Sequence, residues 1–230
     1  MALFWVTAFY DKEHTTAKGE FIKPHPSKDG LISDIDDTFL ISRSGAFFTK
    51  LYILLTRNIN KRKNFKDVVN HYQLLSKIGK SISKETYAFF YVSSSEWNLY
   101  NFIVHFMAKH GLPKGVLKLK NIKNGVGDFL FSGGGGHDHK FQKIKHLLEF
   151  YPELDFILLG DDSQKDPDIY LKIAKMFPKN VLAVYIRQTG STKKQETVSS
   201  LHTLNDLGIQ TLYFRDSKAA IAHTRALNLK

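Results

Sequence analysis

Leu31-Ile32-Ser33-Asp34-Ile35-Asp36-Asp37-Thr38 joins a short apolar run to an acidic turn, and related patterns recur along the chain. After the run at 31–35 come others at 87–92, 156–159, 181–186 and 211–214, each rich in β-branched or aromatic residues and each ended by polar ones. Runs of this length and composition read as buried strands. Helical patterns lie between them. One covers 98–110 and is stopped by Gly111 and Pro113, a second covers 141–150, and a last one covers 216–227. Asp166-Pro167 opens another, with Ile169, Tyr170, Ile173, Met176 and Phe177 on one side. Strands alternating with helices predict an α/β protein with right-handed crossovers and a doubly wound, Rossmann-like parallel sheet. In such sheets the ligand site lies beyond the carboxyl ends of the strands.

The 230 residues suit a single domain over 1–230. Within it, residues 41–80 read as a small helical cap inserted directly after the first strand. The stretch 116–130 is read as further strand or an irregular excursion, and Gly133 to Gly136 as a mobile loop. There is no cysteine, which excludes disulfides, thiolate metal sites and a cysteine nucleophile. Lys and Arg number 33 against 22 Asp and Glu, a net charge of +11. Such a surface suits an anionic partner: nucleic acid, an acidic membrane or a phosphorylated substrate. No stretch offers the roughly 20 apolar residues that span a bilayer. Residues 1–10 are apolar but lack a basic start and a small-residue cleavage site. The expectation is a cytoplasmic protein, with peripheral membrane contact left open.

The strand ends carry the chemistry. Asp34 and Asp36 are separated by one residue and share a face where the chain is extended. Their mutual repulsion asks for compensation, and a hard cation with oxygen ligands supplies it, Mg²⁺ where phosphate is also present. An acidic turn is the plain alternative. A calcium loop is excluded, because its sixth position would be Phe39 rather than Gly and its twelfth Gly45 rather than Glu. The second run ends in Ser93-Ser94-Ser95. A hydroxyl here can hold a phosphoryl oxygen, while Ser93 with Glu96 equally matches a helix capping box. Lys140 precedes the helix leading to the third run and would supply a point charge to phosphate if it turned inward. That run ends in Gly160-Asp161-Asp162, followed by Asp166, which also fits a helix N-cap before Pro167. No phosphate-loop or dinucleotide glycine pattern is present.

Acidic pair, serine, lysine and acidic cluster follow in the order of the four motifs of the haloacid dehalogenase superfamily, which this sequence resembles. More closely it is similar to the catalytic domain of the actin-patch-associated phosphatidate phosphatases, a lipin-related family. The matching stretches begin with Ile32 to Thr38, Tyr91 to Tyr100 and Gly111 to Gly115. They continue with His139-Lys140 and Ile144, Gly160-Asp161, Lys165 to Tyr170, and Tyr185-Ile186-Arg187. The resemblance implies Asp34 as nucleophile and Asp36 as general acid, then base. It implies Ser93, with Ser94 beside it, and Lys140 as the phosphoryl-binding groups. It implies Mg²⁺ on the Asp34 carboxylate, the Asp36 carbonyl and Asp161, with Asp166 in support. Asp162 stands where a small hydroxyl residue is usual, so it is a candidate to join or replace Asp161 at the metal. Asp36 would need a pKa raised by about 3 from its ordinary value near 3.9 to act as an acid at neutral pH.

Phosphatidate is the substrate the resemblance implies. Nucleic-acid ends, nucleotides and phosphoproteins are alternatives that the basic charge supports equally. Phe47, Phe48, Leu51, Tyr52, Leu54, Leu55 and Ile59 form an apolar stripe followed by Lys61-Arg62-Lys63. An apolar face beside basic residues suits an acidic membrane surface. The plainer reading is a cap helix packed on the core with a solvated charged end. His137 and His139 flank Asp138 and suggest a transition-metal site or a mobile polar loop. Arg187 is read as a phosphate contact or a solvated strand end. A fold without turnover, binding lipid or nucleic acid, is the remaining alternative.

Overall fold

The computed structural model describes residues 2–10, 13–21, 29–35, 59–77, 88–120, 137–163 and 165–227. Two strands, β1 (Ala2–Tyr10) and β2 (Glu13–Phe21), pair antiparallel, with Ala2 opposite Phe21 and Tyr10 opposite Glu13. They form a sheet of their own. The predicted runs become β3 (Asp29–Asp34), β4 (Ala88–Glu96), β6 (Asp155–Asp161), β7 (Val181–Arg187) and β8 (Gln210–Phe214). The 116–130 stretch contributes β5 (Val116–Lys120).

These six strands form one sheet in the order β5-β4-β3-β6-β7-β8, with every neighbouring pair parallel. From β3 the chain winds outward through β4 to β5, then returns to the other side of β3 and winds through β6 and β7 to β8. This is the doubly wound order whose switch point lies where the winding reverses. Here that point falls between β3 and β6.

Helices cover both faces. On one face the apolar side chains of α1 (Ile59–Leu75), α2 (Tyr100–His110) and α6 (Ser217–Ala226) meet Leu31, Phe89, Tyr91, Ile157, Leu159 and Tyr185. On the other, α3 (His137–Phe150), α4 (Asp166–Met176) and α5 (Gln195–Asp206) meet Ile32, Phe90, Val92, Phe156, Leu158 and Ile186. Neighbouring strand residues belong to opposite cores because side chains alternate along a strand. A sheet covered on both faces therefore needs continuous apolar runs, and that is what made these strands legible. Val68, Val69, Tyr72 and Leu75 of α1 are buried in the first core. Of the segment 41–80, residues 41–58 and 78–80 lie outside the described residues, and with them the apolar residues from Phe47 to Leu55; the glycines 133–136 also lie outside.

Local signals end the elements as expected in one place and not in others. Gly111 adopts φ 70° after α2, and Leu112 N–H reaches back to the Met107 carbonyl at 3.0 Å. A left-handed residue here is inexpensive only for glycine. Tyr91 then anchors the turn by donating to the Pro113 carbonyl at 2.8 Å. The capping box at Ser93 does not form. β4 runs on through Glu96, a 3-10 turn at Trp97–Leu99 follows, and α2 starts without a side-chain cap. α5 went unanticipated because its buried side is Thr197, Ser200, Leu201 and Leu204, half of it polar, which leaves little apolar periodicity to read. β5 is an edge strand with Leu117 and Leu119 inward and Lys118 outward, the charged pattern that blunts an open edge.

α1 and α6 meet through a buried polar chain. His71 Nε2 lies 2.9 Å from Thr224 Oγ1, which lies 2.9 Å from Tyr185 Oη, which lies 3.0 Å from His223 Nδ1. Burial, with Arg187 and His223 nearby, pushes the His71 pKa down to about 3. The native imidazole is thus neutral where the unfolded one, near 6.5, takes up a proton. Stability is fully present above pH 6.5 and falls as pH drops from there toward 3, by at most about 1.4 kcal/mol per pH unit from this group. Urea midpoints measured from pH 7 to pH 5 should fall for the wild type. They should fall less steeply for His71→Gln, which cannot titrate.

Candidate functional site

Three of the acidic residues singled out from the sequence converge at the switch point. Asp34 closes β3, Asp161 closes β6, and Asp166 opens α4. All three are buried, and one ligand atom of each lies within 4.8 Å of those of the others. Lys140, in the first turn of α3, turns inward and is 3 % exposed. Its ammonium sits 3.1 Å from Asp34 Oδ2 and 2.5 Å from Asp166 Oδ1. Burial alone would lower the lysine pKa; Asp166 and Asp34 outweigh it and hold the ammonium protonated, well above the ordinary lysine range. Three carboxylates buried this closely repel one another, and a buried ammonium in contact with two of them offsets part of that charge. An all-oxygen donor set of this kind is compatible with a hard divalent cation.

Asp166 does not act as the N-cap of α4. Lys165 takes that position, and both Asp166 oxygens are engaged in the site, one by Lys140 and the other by the Asp161 main-chain N–H at 3.3 Å. Pro167 still occupies the first turn, where its missing N–H costs nothing. Asp161 Oδ1 accepts from Ser163 N–H at 2.5 Å.

Asp162 points elsewhere. Its Oδ1 accepts from Thr189 N–H at 2.8 Å and from Thr189 Oγ1 at 2.5 Å, and its Oδ2 from Tyr213 Oη at 2.6 Å. Burial tends to raise its pKa, but these hydrogen bonds outweigh it and hold the carboxyl below its ordinary value. Lys194 Nζ donates to the Asp162 carbonyl as well. The residue ties the segment after β7 and the end of β8 to the end of β6. It is not among the three clustered carboxylates.

Ser93 is buried in β4, one residue past Val92, which pairs with Asp34 across the sheet. Lys143, one helical turn beyond Lys140 in sequence, donates to the Ser93 carbonyl at 3.0 Å and to the Lys118 carbonyl at 3.2 Å, bracing β4 and β5. Ser94 lies in β4, but its side chain lies outside the described residues, as does all of Asp36. Arg187 is not a solvated strand end. Its Nη2 donates to Ser217 Oγ at 2.8 Å and its guanidinium lies over the Phe214 ring at 4.8 Å, holding the start of α6. His139 is exposed in the first turn of α3, and the carboxylate cluster includes neither it nor, among the described residues, any other histidine. The reading of the sequence missed Ser33 and Tyr72, which meet behind Asp34; Ser33 sits inside the acidic motif, but nothing in the spacing of α1 marks Tyr72.

A family model described as "Phosphatidate phosphatase APP1, catalytic domain" matches residues 30–188. Those bounds run from the second residue of β3 past the end of β7 and enclose every clustered carboxylate. The protein named phosphatidate phosphatase APP1 of Saccharomyces cerevisiae is 29% identical over 158 residues, which is 69% of this chain and 25% of that protein. The chain thus spans only part of the length of this relative. No solved structure matches the chain significantly.

Gly160 is where the site leaves no room. A Cβ there would lie 2.9 Å from both Asp166 Cβ and Tyr170 Cε2, and against Asp166 Oδ2. Gly160→Ala should displace the Asp166 carboxylate and cost about 1–3 kcal/mol, the usual range for overpacking. Urea denaturation of the purified variant measures it, and an unchanged midpoint would refute the close approach.

Proposed function

The chain belongs to the phosphatidate phosphatase APP1 catalytic-domain family, and on that premise we propose that it is a Mg²⁺-dependent phosphoric monoester hydrolase acting through an aspartyl-phosphate on Asp34, with phosphatidate as substrate and diacylglycerol as product. The observation that carries the reading is the meeting of Asp34, Asp161, Asp166 and Lys140 at the switch point, in the order and places the haloacid dehalogenase resemblance requires.

Asp34 and Asp161, with the Asp36 carbonyl, would hold Mg²⁺, and Asp166 would support them through Lys140 and the Asp161 N–H. The bound cation would neutralise charge, so that an anionic carboxylate can approach an anionic ester. An Asp34 oxygen attacks phosphorus in line, forming the carboxylate–phosphorus bond as the bond to the ester oxygen breaks. Asp36 gives its proton to the leaving alkoxide. It then takes a proton from a water that attacks phosphorus, breaks the acyl phosphate and restores Asp34. The Lys140 ammonium and the hydroxyls of Ser93 and Ser94 bear the negative charge on the phosphoryl oxygens throughout.

A lipid substrate draws support from the surface beside the site. Trp97 and Tyr100, stacked at 5.4 Å and both exposed, follow the end of β4 that carries Ser93. Aromatic residues with one polar edge favour membrane–water interfaces. Among the described residues no helix is long and apolar enough to cross a membrane, so the proposed contact is peripheral.

Asp34→Asn should abolish phosphate release from a small aryl phosphate while the variant keeps the circular dichroism of the wild type. Substantial turnover by that variant would exclude the covalent step. Phosphate release should be greater from phosphatidate in mixed micelles than from phosphorylated oligonucleotides, nucleotides or phosphopeptides, and should stop on chelation and return with Mg²⁺. A preference for oligonucleotide ends would move the substrate to nucleic acid. No release from any ester, with lipid or RNA bound without Mg²⁺, would make the chain a binding module.

A further inference from the structure

Ser33 and Asp34 are successive strand residues, so their side chains leave β3 on opposite faces. Asp34 meets Lys140 of α3 on one face. Ser33 meets Tyr72 of α1 on the other, with Ser33 Oγ 2.7 Å from Tyr72 Oη. Ser33 Oγ also donates to the main-chain carbonyl of Asp34 at 2.9 Å. A serine hydroxyl carries one proton. With that proton on the Asp34 carbonyl, the Ser33–Tyr72 bond must be donated by Tyr72. The relay then runs from the phenol through the serine to the peptide of Asp34.

Packing alone does not ask for this phenol. The Tyr72 ring stacks on Phe89 at 5.6 Å and meets His71 edge-on at 6.2 Å, contacts that phenylalanine would keep. Tyr72 is 1 % exposed and Ser33 is 0 % exposed, and burying two hydroxyls costs free energy unless each is hydrogen-bonded. Burial, the largest influence on the phenol, drives its pKa far above the ordinary range, despite the opposing effects of the Ser33 hydrogen bond and Arg187. Tyr72 therefore keeps its proton, and can donate it, at neutral pH.

We propose that Tyr72 is a positioning residue for Asp34, gripping the nucleophile's peptide through the Ser33 hydroxyl from the face opposite Lys140. The inference rests on the phosphatase reading of the same site. Lys140 and Asp166 fix the carboxylate end of Asp34, and the relay fixes its main-chain end. With both ends held, the attacking oxygen has little freedom to leave the line of attack, and displacements of the order of 1 Å at a reacting atom can cost about a hundredfold in rate.

The test uses the full chain with Mg²⁺ and a small aryl phosphate, measuring steady-state constants, the rate of phosphoryl-enzyme formation in a rapid-quench burst, and Tm. Tyr72→Phe should lower kcat and the burst rate together by about tenfold, with KM within about twofold of wild type. Ser33→Ala should give the same loss, and the double variant no further loss, because a relay broken once is broken. Losses that multiply, or a lowered Tm with kcat per folded site unchanged, would overturn the proposal and leave Tyr72 a packing residue. If Tyr72→Phe does not fold, Ser33→Ala and Ser33→Thr decide: turnover restored by the threonine hydroxyl supports the relay, and equal losses in both reject it. A wild type that releases no phosphate from any ester defeats the phosphatase reading and the positioning role with it. An active wild type with unaffected variants defeats the positioning role alone.

Discussion

Lys140 bridges two carboxylates that cannot be buried side by side without it, and much of the site is arranged to let it do so. Its ammonium touches Asp34 from β3 and Asp166 from α4, while its own backbone belongs to α3. Three elements distant in the chain are thereby held at one point. Removing water from an ammonium or a carboxylate is costly for each ion, and their close contact offsets that cost only when the geometry is right. The geometry depends on small things nearby: the bare Cα of Gly160, which lets Asp166 come close, and the Asp161 N–H, which holds the second Asp166 oxygen.

The topology supplies the meeting point. Because the winding reverses between β3 and β6, no crossover helix covers the crevice at their carboxyl ends. Asp34 and Asp161 close those two strands. The surrounding polar groups brace the elements around them. Asp162 gathers Thr189, Tyr213 and Lys194 to the end of β6. Lys143 of α3 joins carbonyls of β4 and β5. Arg187 secures the start of α6. Each is charged, and each has protein partners that account for its position.

The two faces of the sheet divide the work unequally. The face under α3, α4 and α5 brings Lys140 and Asp166 to the site. The face under α1 and α6 carries two sets of linked buried polar groups, His71, Thr224 and Tyr185 in one chain and Tyr72 with Ser33 in another. Hydroxyls and a neutral imidazole in a core contribute less to stability than apolar groups of the same shape, but they fix orientation where apolar contacts would permit sliding. This face carries the His71 imidazole, whose burial makes stability respond to pH, and the hydroxyl relay that reaches the backbone of Asp34.

What the sequence by itself determined is the part written in local pattern. Short, mostly apolar runs at 31–35, 87–92, 156–159, 181–186 and 211–214 read as strands of one sheet, and the acidic and hydroxyl residues ending them then fall along its carboxyl edge. Only the tertiary structure decided which of those residues meet. Asp161 and Asp162 are adjacent and chemically identical, yet one joins the carboxylate cluster and the other clamps Thr189 and Tyr213, because β6 ends at Asp161 and the chain has turned out of the strand at Asp162. Asp166 and Ser93 each had a sound local role as a helix cap, and the core assigned them elsewhere: contacts between residues far apart in the chain outweigh the approximately 1 kcal/mol that a cap contributes. Tyr72 was invisible for the same reason. Its hydroxyl matters only because the fold sets α1 against β3, and no spacing within either segment encodes that.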